Sequence, residues 1–110
     1  MKKRLASLLL LLPMYAFADL VEVEIQARPN PNYYNPNGEV VYIVMRSVAD
    51  ETIVIKKVTV NRGNCKINRW DGYSKLKFGQ SLRGVTYGCG SREIKEVVVK
   101  TDHGTETYRF

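Results

Sequence analysis

From Val21 onward the chain is written in short β-patterned segments, each closed by a turn signal, and no stretch of it carries a helical period. Val21, Val23 and Ile25 alternate with Glu22, Glu24 and Gln26, which gives a strand one apolar and one wet face. Arg28 to Glu39 carries Pro29, Pro31 and Pro36 among asparagines and closes on Asn37-Gly38, so it reads as a loop and not as a helix or central strand. Val40 to Met45 is apolar on both faces, the pattern of a strand in the middle of a packed sheet. In Thr52–Asn61 the pattern slips: Ile53 and Ile55 share one parity, Val58 and Val60 the other, with Lys56-Lys57 between them. A bulge at the two lysines, or a strand that switches sheets, reconciles the halves.

Asn61-Arg62-Gly63-Asn64 is a turn, and Lys66 to Lys75 is polar and irregular. Short strands are expected at Leu76–Phe78, Leu82–Tyr87 and Ile94–Lys100, and Asp102-His103-Gly104 turns the chain into a last strand over Thr105–Phe110. About seven short strands without an amphipathic helix predict an all-β domain, a β-sandwich of fibronectin type III or immunoglobulin-like kind. Closure into a small barrel is the alternative.

The segment before these strands is of another kind. Lys2, Lys3 and Arg4 precede an apolar run over Leu5–Leu12, Pro13 breaks it, and Ala16-Phe17-Ala18 is a small-x-small cleavage pattern. Residues 1–18 are therefore read as a secretory signal peptide and residues 19–110 as one domain, exported to the periplasm or secreted. The apolar run is too short to span a bilayer, so no membrane partner is expected. Of 17 basic and 11 acidic side chains, three basic ones leave with the signal, and the rest carry a net charge of about +3 scattered along the chain. That is weak ground for nucleic acid as a partner. Cys65 and Cys89 are an even pair in an exported chain, and a structural disulfide between them is expected. Closing a loop with a sequence separation of 24 contributes about 3 kcal/mol.

Reacting groups are few. His103 is the one histidine and stands in an expected turn beside Asp102. Glu22/Glu24 lie on the wet face of a strand, and Glu93/Glu96 flank Ile94 without a partner motif. Neither a catalytic set, nor a metal site, nor a cofactor is expected from these residues. The side chains suited to binding are aromatic. Tyr33 and Tyr34 stand in the proline-stiffened loop, as contact residues or as a lid over the end of the sandwich. Trp70 and Tyr73 flank Asp71-Gly72 inside the disulfide loop. For Trp70 core packing is the expectation and a surface anchor the alternative. Exposed sheet edges in so small a sandwich also suggest a homodimer, with exchanged strands as one form of it.

Val58-Thr59-Val60-Asn61-Arg62-Gly63-Asn64, Leu76-Lys77-Phe78-Gly79-Gln80, Ile94-Lys95-Glu96-Val97 and Thr101-Asp102-His103-Gly104 with Thr107-Tyr108-Arg109-Phe110 together resemble the IrmA family. These are small exported bacterial proteins named for interleukin-receptor mimicry, and the likeness covers roughly residues 50–110 and the signal peptide. The resemblance implies a fibronectin type III-like sandwich, a dimer formed by strand exchange, and binding to host interleukins as a virulence function. It assigns no contact residues. The alternative from the residues themselves is a periplasmic structural or assembly accessory of a secretion or adhesin system.

Overall fold

The computed structural model describes residues 20–29 and 39–110. The signal-peptide residues 1–18 and the loop tyrosines Tyr33 and Tyr34 lie outside the described residues. Eight strands form two antiparallel sheets packed face to face: β1 (Val21–Pro29), β2 (Glu39–Ser47), β3 (Ile53–Val60), β4 (Arg69–Asp71), β5 (Lys75–Leu76), β6 (Ser81–Thr86), β7 (Glu96–Thr101) and β8 (Gly104–Arg109). The first sheet has the order β1-β2-β6-β4 and the second β5-β3-β7-β8. With β1, β2, β6 and β4 as strands A, B, E and D, and β3, β7 and β8 as C, F and G, this is the ABED/CFG arrangement of immunoglobulin-type sandwiches. The departure is in the middle of the chain, which goes from β3 to β4 to β5 to β6 and so changes sheet at each step.

Strand alternation sets the core. Val21 of β1, Val41, Ile43 and Met45 of β2, and Leu82 of β6 pack inward against Ile53, Ile55 and Val60 of β3 and Val97 and Val99 of β7. Each such burial stabilises by about 1.5–3 kcal/mol, and truncating a central one such as Ile43 to alanine costs about 2–5 kcal/mol. β2 is buried on its other face as well. Val40 and Val44, with Val85 of β6, are buried on the outside of the first sheet. They lie among Tyr42 and the arginine side chains of that face, which accounts for the doubly apolar pattern of β2.

The expected bulge is present: Ile55 pairs with Thr101 and Lys57 with Lys100, so Lys56 is the extra residue that moves Val58 and Val60 to the core parity. The strand count is eight where seven were expected. The addition is β4, hidden in the polar stretch 66–75, because three residues pairing with β6 leave too short an alternation to read. The Leu76–Phe78 strand is correspondingly shorter: Lys75 and Leu76 pair with β3, and Phe78 stands exposed in the following turn. The strand expected from Ile94 starts at Glu96, after a single 3-10 turn at Ser91–Glu93.

Past β3 the backbone of Asn61, Arg62 and Gly63 is left-handed, with φ of 51°, 57° and 95°. Asn61 tolerates this and its side chain fastens the turn to β7. Its amide donates to the Glu93 carbonyl at 2.7 Å, and its oxygen accepts from the Lys95 and Glu96 N–H groups at 2.8 and 3.1 Å. The turn delivers Cys65 to Cys89, and the disulfide, with Cα atoms 6.0 Å apart, joins the exit of β3 in one sheet to the exit of β6 in the other.

Candidate protein-binding site

Trp70 opposes Gly84 across the β4–β6 pair, so its side chain has core parity, but β4 is the edge of its sheet. A Cβ on Gly84 would stand 3.1 Å from the Trp70 ring and from Ile67. The glycine therefore makes room for the indole to lie across the side of the sandwich. Trp70 remains 42% exposed. It is neither the buried core residue that was expected nor a free surface anchor: one edge is packed and the other is open. Gly72, at φ 114°, makes the turn that follows, and Tyr73 emerges from it 84% exposed.

Trp70 and Tyr73 thus come together. With Leu82 and Gly72 from one side, and Ile55, Lys56, Lys57 and Val58 from the bulged part of β3 on the other, they line a groove of about 530 Å³. A second groove of about 550 Å³ continues past Trp70 along Lys57–Val60 to Arg62, Lys66 and Ile67. Among the described residues no carboxylate lines either groove. Lys57 directly faces Lys100 across β3 and β7, and no lysine forms an ion pair among the described residues.

The outer face of the first sheet carries a connected belt that the sequence reading missed. Arg28 of β1 and Arg83 of β6 lie 5.8 and 4.4 Å from the centre of the Tyr42 ring. Arg83 reaches Asp71 at 3.0 Å, Arg69 reaches the same carboxylate at 3.2 Å, and Arg69 donates to the Tyr87 hydroxyl at 2.9 Å. Hydrogen bonds from Arg69 and Arg83 hold the Asp71 carboxyl below its usual range. The signal was available only as alternate positions on four strands whose pairing the sequence does not give.

His103 occupies the expected turn. Its Nδ1 lies 2.9 Å from Asp102 and its Nε2 contacts Glu51, and these carboxylates, Asp102 foremost, raise its pKa. Asp102 in turn accepts from the Val54 N–H at 2.9 Å, the main cause of its lowered pKa. The cluster ties the β7–β8 turn to the start of β3. Among the described residues no three metal-ligating side chains converge, and no helix is long and apolar enough to cross a membrane.

No protein-family model, no curated protein and no solved structure matches this chain.

Proposed function

We propose that this protein is an exported protein-binding module that acts in host interaction as a cytokine-binding receptor mimic. The observation that carries the binding reading is the Trp70–Tyr73 groove. An indole and a phenol stand at an open side of a rigid sandwich, over an apolar floor and beside cations. Aromatic side chains anchor protein interfaces because they bury a large area for little lost conformational entropy. The disulfide agrees with folding in an oxidising compartment, and export through the signal sequence is part of the proposal. Interleukins as the ligands, and a homodimer with exchanged strands, come from the IrmA resemblance and belong to the same proposal.

The test is binding of the purified, oxidised protein to a panel of human interleukins by biolayer interferometry, with Trp70→Ala and Tyr73→Ala alongside. Saturable binding in the micromolar range or tighter, weakened by both substitutions, supports the reading. A folded protein that binds none of the panel removes the cytokine assignment and directs the search to bacterial partners. Sedimentation that gives one monomer mass across micromolar concentrations removes the dimer.

A further inference from the structure

Resting on the binding-module reading, we infer that the open side of the sandwich takes its partner as an added β-strand: an extended, acidic segment of another protein that pairs with β3 along Lys56–Thr59. β3 is paired with β7 on its far edge from Ile55 to Val60. On its near edge it pairs with β5 at Ile53 and Val54 only, and it meets the chain again where Val60 bridges to Cys65. The Ile55 N–H donates to the Ser74 carbonyl at 2.8 Å and the Val60 carbonyl accepts from Cys65 at 3.3 Å, which marks this edge at both ends. Alternation along the strand places the Val58 N–H and C=O on the same edge, between those two contacts and without a ladder partner among the described residues. An incoming strand supplies one.

The walls of the site say what kind of strand fits. Alternate side chains of an added strand would point toward Trp70 and the apolar floor of the grooves, and the others toward Lys56 and Lys57. Lys56, Lys57 and Lys66, with Arg62, which is paired to Glu96 at 3.3 Å, line the two grooves, and among the described residues no carboxylate does. Like charges placed directly opposite, as Lys57 and Lys100 are, repel, and an acidic side chain of the added strand beside Lys57, on the side away from Lys100, offsets that repulsion. The same lysines disfavour a second copy of this chain as the occupant, because edge-to-edge pairing would bring two lysine pairs into one seam.

The probe is a synthetic peptide of about ten residues that alternates glutamate with valine, a length sufficient for one strand. Binding is read from the emission of Trp70, the only tryptophan of the chain. The comparison peptides are a lysine–valine version and two glutamate–valine versions N-methylated on one or the other set of alternate residues. The glutamate peptide is expected to bind in the micromolar range, and Lys57→Glu is expected to weaken it at least tenfold, by about 1.4 kcal/mol. One N-methylated peptide should lose binding and the other keep it, since only one edge of the peptide faces β3. Equal binding of the lysine peptide, or equal binding of both N-methylated peptides to the parent, overturns the inference. So does a dimer in sedimentation velocity that the peptide dissociates, which would make a second copy the occupant. A folded partner whose binding needs Trp70 while no peptide binds overturns strand addition and leaves the binding-module reading standing. Peptide binding through Lys57 in a protein that binds no interleukin supports strand addition and removes the cytokine assignment.

Discussion

Along one side of the sandwich, β1 and β8 are stitched together across the two sheets; along the other, β4 and β3 are left apart. On the closed side the Tyr108 hydroxyl lies 2.5 Å from the Val21 carbonyl and 2.6 Å from the Glu106 carboxylate, and Glu106 accepts from the Leu20 N–H at 3.3 Å. Partly buried polar groups thus satisfy one another between the edges. On the open side no hydrogen bond or ion pair joins β4 to β3 among the described residues. A bulge, three lysines near one another on β3 and β7, and a half-packed indole stand there instead. Both arrangements solve the same problem, since an unprotected edge pairs with whatever strand it meets. The closed side removes the opportunity. The open side restricts it by charge, which leaves room for a selected partner.

The largest expected effect comes from taking away the covalent tie at the end of the open side. The Cys65→Ser/Cys89→Ser protein should lose about 3 kcal/mol, which lowers the thermal midpoint by roughly 15 °C in a domain of this size. A midpoint within a few degrees of the parent would mean that the turn at Asn61–Gly63 holds Cys65 in place unaided. Next, Tyr108→Phe should cost about 1 kcal/mol and speed amide exchange in β1 ahead of β2. Uniform acceleration through both sheets would show that the closed side is held by the core and not by its polar stitch.

Tyr73→Ala, on the open side, should change stability by less than about 0.5 kcal/mol, since the side chain is 84% exposed. A loss above that, measured by urea unfolding, would make Tyr73 part of the packing and weaken its claim as a contact. The smallest effect concerns the His103 turn. His103 has its pKa raised from 6.5 by Asp102 and Glu51, so the protonated form favours the folded state. This contribution is complete below about pH 6.5 and is lost as pH rises through the raised value. Asp102 is held below 3.8, and its contribution is present above that value and is lost as pH falls through the lowered one. Thermal midpoints of the parent and His103→Gln should therefore differ most between the two ranges and converge as pH rises through the raised His103 value. A difference that grows toward alkaline pH would contradict the cluster.

Much of the fold was legible because strand alternation is a local property. The core parity of β1, the bulge at Lys56, the double burial of β2 and the glycine turn before β8 were all readable from neighbours in sequence. The disulfide was readable from the count and setting of two cysteines. β4 was not, because Arg69, Trp70 and Asp71 become a strand only through β6, whose pairing depends on where the whole chain goes. The candidate site was half legible. Trp70 and Tyr73 stood out as aromatics in a polar stretch, but the sequence set Trp70 in the core.

By itself the sequence determined the class of fold and the residues that face inward, since the burial of alternate apolar side chains follows from a backbone period of two. Which edges close and which stay open was decided only by the tertiary structure. Edge protection depends on what stands opposite in space: Tyr108 on Val21, Lys57 on Lys100, Trp70 over Gly84. Each of those pairs joins residues far apart along the chain, and no local pattern brings them together.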